Sequence, residues 1–492
     1  MNHNLFKLQK IILLILLSGF IPFLKALGQS KTDSITSFLQ DEMIKRNIPG
    51  LQVAIIRNGK VELVKSFGFA NIENRVKVND STVFSINSAT KAFTGVAIMQ
   101  LVEEGKINLQ GTISSYLDSL PDQWKEIKIY QLLTHTSGLP DLVDVRKGGF
   151  VEGLKYPEAL NKIREYPMEF TAGTQMRYNQ TNYVLLGQII EKLSGKSFEK
   201  IIQERQFDPA GMKRTGFGDS RDIIMDKAPT YRLSKITERN FVKGKTLERT
   251  WEEFTELRAT AGINSSASEL ANWILSLQNG ILLKSQSLKT MWEARKLNNG
   301  NYSGWALGWV ARRNTAPRAV AGIGGARSWF YVYPDHHLAI IILTNLSTNQ
   351  PEDLAPEVAG FYYPELKSIH GGSLPETVLP LRALLEKEGY NKAIQLSEKI
   401  RKRDGKFFLS ERDLTNWAYY LLLIQHKPEE AIELFKLYVH LYPSDANAYE
   451  GLGEAYQSTG DLKNAIAAYK KTLELDPKNT NANKKLKILL NN

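Results

Sequence analysis

Cysteine is absent from the 492 residues of this chain. Its absence excludes structural disulfides and a cysteine-linked lipid anchor, and it suits an oxidising compartment, where no stray thiol can mispair. The sequence also contains no H-E-x-x-H motif and no cluster among its histidines. We therefore expect neither a metal site nor a cofactor. No G-x-S-x-G motif is present, which argues against an α/β-hydrolase.

Long apolar runs are absent beyond the amino-terminal segment. There, Lys7 and Lys10 precede the apolar run 11–17, and the small residues Ala26 and Gly28 follow. This order predicts a signal peptide over residues 1–28 and an exported protein of a bacterial envelope, periplasmic or secreted. The alternative is an uncleaved membrane anchor, because the apolar stretch approaches the length of a short span.

Charge of one sign is in modest excess, with a formal net charge of +11. Removing residues 1–28 takes away three lysines and no acidic residue, which leaves +8. The basic residues are scattered and accompany no nucleic-acid-binding motif, so we expect no nucleic-acid partner. Attraction to anionic envelope polymers or lipid headgroups is an alternative role for a basic exported protein, but we interpret this charge as mostly solvated surface.

Strand patterns stand at both ends of a helix-rich region. Residues 30–50 have apolar residues at helical spacing, and two apolar runs separated by Asn58-Gly59 predict a β-hairpin. A second hairpin is predicted from Trp329–Tyr333 and Leu338–Thr344, with His336 and His337 solvated at its tip. This order predicts an α/β domain over residues 33–363 whose sheet is assembled from distant parts of the chain.

The sequence pattern changes from mixed strands and helices to a helical repeat after a linker predicted at residues 364–380. Ala431-Ile432 and Ala465-Ile466 recur at a spacing of 34 residues, as do Phe435 and Tyr469. The run 448–477 resembles the tetratricopeptide repeat, which implies an all-α repeat domain over residues 381–492. Residues 389–394 are interpreted as a divergent earlier copy. The array either forms a groove for a protein or peptide partner or simply steadies the preceding domain.

Ser88-Ala89-Thr90-Lys91 is the candidate for nucleophilic catalysis. A serine hydroxyl needs a base within hydrogen-bond reach, and residues three apart share one face of a helix. A helix start also offers N–H groups where negative charge develops during acyl transfer. The spacing alone is weak evidence, because Ser197-Phe198-Glu199-Lys200 repeats it; we interpret that second copy as part of a helix surface.

The surrounding motifs are more specific than the spacing. They resemble the serine β-lactamase and penicillin-binding-protein family, in particular its class C-like esterases, D-peptidases and β-lactamases. The resemblance implies an antiparallel sheet flanked by helices, with a helical subdomain. The stretches that carry it are Phe84–Gly95, Leu101–Ile107, Leu132–Pro140, Tyr183–Gly187, Ala261–Ser266 and Leu307–Trp309.

The same resemblance implies a second catalytic element at Tyr178-Asn179-Gln180, where the family carries Tyr-x-Asn. Tyr178 would move protons beside Lys91. Gln180 keeps the amide of the family asparagine on a longer arm, so substrate positioning would differ. The alternative for Tyr178 is an ordinary half-buried aromatic residue. His135, in the stretch Thr134–Pro140, is interpreted as a hydrogen-bonded turn residue.

The resemblance places the third element at Gly322–Trp329, where the family has Lys-Thr-Gly or His-x-Gly. Gly324 and Gly325 keep the glycines against which a substrate lies, and the Gly325 N–H would join the Ser88 N–H in an oxyanion hole. The cation and hydroxyl of the family are replaced by Gly322 and Ile323. Arg327 either supplies a replacement charge for a substrate carboxylate or is a surface arginine.

Together, these features predict an exported serine hydrolase that acts through a covalent acyl-enzyme on an ester or amide, including D-peptides and cell-wall fragments. Two alternatives remain open. One is a catalytically degenerate binding module that recruits a partner through its repeats. The other is a true β-lactamase, which the missing cation at position 322 disfavours.

Overall fold

The computed structural model describes residues 31–144, 149–233, 247–313, 317–347, 354–367, 379–405, 407–425, 427–477 and 479–491. The predicted signal peptide lies outside these residues, as does the predicted linker from 368 to 378. The chain divides into two compact units, Met1–Lys367 and Ser368–Asn492.

Within the described part of the first unit, the strands are short except in the main sheet. They are β1 (Gly50–Arg57), β2 (Lys60–Asn71), β3 (Val76–Lys77), β4 (Phe84–Ser85), β5 (Val143–Asp144), β6 (Gly149–Phe150), β7 (Gly216–Phe217), β8 (Tyr231–Leu233), β9 (Leu247–Arg249), β10 (Ile263–Ser265), β11 (Val310–Arg313), β12 (Ala319–Gly324), β13 (Ser328–Tyr333), β14 (Leu338–Thr344) and β15 (Leu346–Ser347).

The first unit also contains nine α-helices among the described residues, and α-helices form the described part of the second unit. Those of the first unit are α1 (residues 31–45), α2 (Thr90–Glu103), α3 (Ile129–Leu133), α4 (Tyr156–Ile163), α5 (Gln180–Ser194), α6 (Phe198–Ile202), α7 (Ala267–Gln278), α8 (Ser285–Met291) and α9 (Leu354–Gly360). Those of the second unit are α10 (Leu379–Glu388), α11 (Ala393–Arg403), α12 (Glu411–Tyr419), α13 (Pro428–Leu441), α14 (Ala446–Ser458), α15 (Leu462–Leu475) and α16 (Thr480–Asn491).

The main sheet joins the two ends of the first unit, as predicted. Its order is β11-β12-β13-β14-β1-β2-β3, and every neighbouring pair is antiparallel. Both predicted hairpins are confirmed. Asn58 and Gly59 have positive φ angles of 51° and 72°, which is the backbone that a tight two-residue hairpin turn requires.

Both faces of the central strands are buried, which explains why they are continuously apolar rather than alternating. In β1, Ala54 and Ile56 pack into the larger core against the helices that include α2 and α5. Val53 and Ile55 point to the opposite face, where a second core contains residues of α1 and α9. The sheet is therefore the middle layer of three.

Helix α2 is buried around most of its circumference, so it runs through the core of the helical layer rather than along the surface. A Cβ at Gly95 would lie 2.7 Å from the carbonyl oxygen of Leu307, so the glycine allows close backbone approach. This burial fixes the start of α2, where Ser88 and Lys91 are found, in the interior of the unit.

The described residues of the second unit form an all-α region, as predicted. From α12 to α16 each helix packs against the next, whereas α11 packs against α10 and α13. The two aromatic residues of the 34-residue spacing each face a glycine of α14. A Cβ at Gly451 would lie 2.2 Å from the Phe435 ring, and one at Gly453 would lie 2.7 Å from the Tyr469 ring. Small residues on α14 thus accept the aromatic side chains of the helices before and after it.

The tip of the closing hairpin differs from the prediction at one histidine. His337 is exposed, but His336 is only partly exposed: its Nε2 lies 3.0 Å from a carboxylate oxygen of Glu365, and its ring packs edge-on against Tyr363. The turn at Pro364–Leu366 folds back beside the hairpin, which the sequence pattern did not reveal.

Among the described residues, no helix combines the length and apolarity needed to cross a membrane.

Candidate active site

Ser88 lies in a single 3-10 turn, Asn87–Ala89, that leads directly into α2. Ser88 itself is half-buried between buried neighbours. Asn87 has a φ angle of +46°, a left-handed conformation that asparagine tolerates better than most residues. The Ser85 hydroxyl donates a hydrogen bond of 3.2 Å to the Asn87 side chain. The turn that contains Ser88 is therefore held before Ser88 by the hydrogen bond between Ser85 and Asn87, and after it by α2.

Lys91 is only 1% exposed, and its ammonium group is enclosed by acceptors from distant parts of the chain. Its Nζ donates to Gln180 Oε1 at 2.9 Å and to the Thr260 carbonyl oxygen at 3.1 Å. The rings of Tyr178 and Tyr183 lie 4.8 and 5.3 Å from the nitrogen. These two acceptors account for two of the three donor positions of the ammonium group. Ser88 lies three residues before Lys91, on the same helical face.

Pairing between strands explains how Thr260 reaches Lys91. Strand β10 pairs with β4, and the Ile86 N–H donates to the Ile263 carbonyl oxygen at 2.9 Å. The segment just before β10 is therefore held against the start of α2. The Thr94 hydroxyl adds a hydrogen bond of 2.7 Å to the Ala259 carbonyl oxygen.

Tyr178 brings a hydroxyl group to the same place. Its ring is half-buried, and among the described residues its buried hydroxyl has no hydrogen-bond partner. An unpaired buried hydroxyl costs on the order of 1–3 kcal/mol, so it is retained where function needs it. The ring that carries this hydroxyl lies 4.8 Å from the Lys91 ammonium nitrogen.

His135 supports the Tyr178 ring from behind. The ring centroids are 4.6 Å apart, and Trp305 packs edge-on against His135 at 4.5 Å. His135 Nδ1 accepts the Asn179 N–H at 3.1 Å, which assigns the proton of the neutral ring to Nε2. Burial, with a smaller contribution from the Lys91 charge, holds the pKa of His135 well below its ordinary 6.5. The imidazole is therefore a neutral support.

Gln180 is the first residue of α5, and Asn179 caps the helix by accepting the Asn182 N–H. The Gln180 N–H donates to Asp141 Oδ1 at 3.1 Å. Burial raises the pKa of Asp141, although backbone N–H groups, including that of Gln180, and the nearby Lys91 charge act to lower it. The family-like amide at position 180 is thus directed at Lys91 and holds its ammonium group.

Two glycines let β12 approach the Ser88 turn. A Cβ at Gly324 would lie 1.8 Å from the Ile86 carbonyl oxygen, and one at Gly325 would lie 2.2 Å from Asn87 Nδ2. Gly325 also has a φ angle of +58°, which favours glycine. Its backbone is exposed at the edge of the site. The end of β12 is therefore adjacent to the Ser88 turn, as an oxyanion hole requires.

Position 322 has no room for a side chain. A Cβ there would lie 2.1 Å from the ring of Phe330, which fills the space above the strand. Phe330 is itself buried against Trp309 and Trp273. The cation of the family is thus absent at position 322, and the Phe330 ring occupies the space where its side chain would begin.

Arg327 is 2% exposed, so it is not a surface arginine. Its Nη2 donates to both carboxylate oxygens of Glu252, each at 2.7 Å. Asn87 Nδ2 donates to the same carboxylate at 3.3 Å. The guanidinium charge beside the site is thus already paired within the protein.

The structure brings Ser88, Lys91, Tyr178, Gln180, Gly324 and Gly325 to one site, with Arg327 at its margin. Sequence reasoning missed Glu252, Asp141 and the Thr260 carbonyl. Thr260 immediately precedes the family-like stretch 261–266, which was the available signal. Nothing near Glu252 in the sequence marks it.

The comparisons with known proteins agree with this geometry. A sequence model of the family described as Beta-lactamase matches residues 35–361, and one described as Tetratricopeptide repeat matches residues 446–479. Protein flp of Staphylococcus aureus (strain MRSA252) is 27% identical over 331 residues, which cover 65% of this chain and 64% of that protein. The match thus spans less than two thirds of that relative's length.

Two further proteins are similar over most of their own length. N-acetylmuramyl-L-alanine amidase of Bacillus subtilis (strain 168) is 24% identical over 356 residues, covering 62% of this chain and 80% of the amidase. The octameric penicillin-binding protein homologue from Pyrococcus abyssi superposes with a TM-score of 0.59 and 26% identity, covering 73% of this chain and 82% of that one.

Proposed function

Since the chain belongs to the Beta-lactamase family and carries a tetratricopeptide repeat, we propose that it is a serine hydrolase that cleaves an ester or amide through an acyl-enzyme on Ser88. The single observation that carries the proposal is the enclosure of Lys91. A buried lysine is held there by Gln180 and the Thr260 carbonyl, 4.8 Å from the ring of Tyr178, whose hydroxyl has no partner among the described residues. This arrangement supports a base with a nearby proton relay.

In the proposed reaction, the Lys91 amine accepts the hydroxyl proton of Ser88 while the oxygen attacks the scissile carbonyl. The Ser88 and Gly325 N–H groups stabilise the oxyanion. Lys91 and Tyr178 then return the proton to the leaving alcohol or amine, and the carbonyl–leaving-group bond breaks. Water, deprotonated by the same pair, releases the acid and restores the Ser88 hydroxyl.

For the substrate, we propose an ester or amide of the envelope, such as a D-peptide or a cell-wall fragment, reached after export. The likeness to an N-acetylmuramyl-L-alanine amidase supports an amide of this kind. The filled position 322 supports an esterase or peptidase over a β-lactamase, because no strand cation is present for a β-lactam carboxylate. For the second unit, we propose recruitment of a protein or peptide partner.

The test is the intact mass of the full chain after exposure to a fluorophosphonate probe. We expect one adduct on the native protein, one on Ser197→Ala and none on Ser88→Ala. Ser197 is the matched control because it begins the second Ser-x-x-Lys sequence.

An unlabelled but folded native protein would contradict catalysis and favour the binding-module alternative. Hydrolysis of a chromogenic cephalosporin at rates comparable with esters would instead favour the β-lactamase alternative.

A further inference from the structure

The ion pair of Arg327 and Glu252 stands directly beside the proposed nucleophile. Arg327 follows the Gly324-Gly325 turn, and Glu252 accepts a hydrogen bond from Asn87, the residue before Ser88. The carboxylate therefore joins both backbone segments that form the proposed oxyanion hole. It therefore forms a boundary of the proposed site next to these two segments.

Glu252 is held in place by its own backbone as well as by its carboxylate. Its N–H donates to the Ser220 hydroxyl at 2.9 Å, and its carbonyl oxygen accepts the Ser220 N–H at 3.0 Å. The side chain is 17% exposed, so it is not completely shielded from solvent. A fixed carboxylate that is only partly buried can act electrostatically on a nearby substrate group.

Two cations near Glu252 in the described part of the chain are already engaged. Arg327 Nη2 donates to both carboxylate oxygens of Glu252, and the arginine side chain is almost completely buried. Lys227, the other cation whose charge acts on Glu252, donates to the Asp219 carbonyl oxygen at 2.7 Å. Strand β12, which lies against the Ser88 turn, contributes no charged side chain.

A substrate carboxylate at this boundary would have to displace Glu252 from Arg327 or lie against it. Displacement breaks a charge-assisted hydrogen bond, and the alternative places like charges side by side without solvent between them. A neutral acyl group neither breaks this hydrogen bond nor brings two like charges together. Electrostatic repulsion of this kind is a common device by which a binding site rejects a competing substrate.

We propose that Glu252 is a specificity-determining residue: by occupying Arg327 beside Ser88, it selects esters and amides whose acyl group carries no carboxylate near the scissile carbonyl. This inference rests on the proposed function, because it requires acylation at Ser88.

The test compares two p-nitrophenyl esters of similar chain length, the neutral valerate and the hemiester of glutarate, whose acyl chain ends in a carboxylate. Release of p-nitrophenol is followed for the wild type, Glu252→Gln and Glu253→Gln. Glu253 is the matched control because it is the adjacent residue, is 56% exposed and pairs with Arg221 rather than Arg327.

We expect the wild type to favour the neutral ester in kcat/KM by about tenfold or more, the scale of one hydrogen bond to a charged group. Glu252→Gln should reduce this preference by about tenfold, because it removes the negative charge that opposes the glutarate carboxylate and leaves the positive charge of Arg327 unneutralised. Glu253→Gln should keep the wild-type preference. A purely structural role of Glu252 would lower the rates for both esters together and leave their ratio unchanged.

Equal kcat/KM for the two esters in the wild type would overturn the inference, as would an unchanged ratio in Glu252→Gln. If that variant does not fold, the double variant Glu252→Gln/Arg327→Gln removes both charges, and its ratio must also fall below that of the wild type. A Ser88 adduct without acylation by the neutral ester overturns this inference alone. Absence of both the adduct and acylation overturns the proposed function.

Discussion

The chain contains two Ser-x-x-Lys sequences at helix starts, and their surroundings differ in every respect that matters for catalysis. Lys91 is 1% exposed and donates to Gln180 and to the Thr260 carbonyl. Lys200 is 60% exposed, and the partner of its ammonium group is Glu204, at 3.5 Å on the same helical segment.

The two serines differ in the same way. The Ser197 hydroxyl accepts the Lys200 backbone N–H and so caps α6, which engages it in helix formation. Ser88 lies in a largely buried turn, against which the glycine-containing end of β12 packs. Spacing along a helix brings serine and lysine to one face in both cases, but only tertiary neighbours remove one lysine from water and surround it with acceptors.

The largest difference between the two Ser-x-x-Lys sequences is expected when each lysine is replaced by methionine. Methionine has a side chain of similar length to lysine but carries no amine. Lys91→Met should slow fluorophosphonate labelling by about 10³-fold, within the range that positioned general bases contribute. Lys200→Met should leave the labelling rate unchanged. A comparable loss in both variants would mean that the distinction drawn from burial is wrong.

Tyr178→Phe should lower kcat/KM for esters by about 10²-fold, because it removes the unpaired hydroxyl while keeping the ring that packs on His135. Tyr183→Phe is the control: its hydroxyl donates to the Leu133 carbonyl oxygen at 2.9 Å. We expect that variant to lose about 1 kcal/mol of stability and little activity. Thermal unfolding and ester kinetics measured together separate the two outcomes.

The burial of the His135 support predicts a pH dependence of stability. Its folded pKa lies below the 6.5 of the unfolded imidazole, so below about pH 6.5 only the unfolded state gains the proton. The resulting stabilisation is complete above pH 6.5 and falls with decreasing pH, by up to about 1.4 kcal/mol per unit.

His135→Asn keeps a residue that tolerates the φ angle of +56° and should flatten this part of the profile of unfolding midpoint against pH from 5 to 8. His337→Asn, at an exposed position with a φ angle of +47°, serves as the control and should leave the profile as in the wild type. Parallel profiles for the wild type and His135→Asn would contradict the assignment of a neutral buried ring.

The smallest effect is expected at the serine of the second motif. Ser197→Ala removes a helix cap and should lower stability by about 1 kcal/mol, seen as a small decrease in the unfolding midpoint. Its ester hydrolysis should equal that of the wild type. A loss of hydrolysis without a loss of stability would assign Ser197 a role that its exposed position does not suggest.

Much of the fold was predictable because its signals are local. The Asn58-Gly59 turn, the closing hairpin and the 34-residue repeat each depend on neighbours in sequence. The structure contains both hairpins and the paired helices of the repeat where expected. His336 was mispredicted because its partner, Glu365, comes from a turn nearly thirty residues later.

The site was predictable to the extent that motifs carry it. Ser88 and Lys91 follow from helical spacing, and the positions of Tyr178, Gln180 and Gly325 follow from the family resemblance. The pairing of Arg327 with Glu252 was not predictable, because 75 residues separate them and no pattern joins them. The Phe330 ring over Gly322 also depends on how β12 and β13 pair.

By itself, the sequence determined the order of strands and helices, the repeat period and the presence of a serine three residues before a lysine. These properties depend on backbone periodicity and local turn chemistry. The tertiary structure alone decided which of two such pairs is enclosed, which acceptors surround its lysine and whether the neighbouring arginine is free. Burial and charge pairing depend on contacts between segments far apart in the chain, and the free energy of a charged group is set by those contacts.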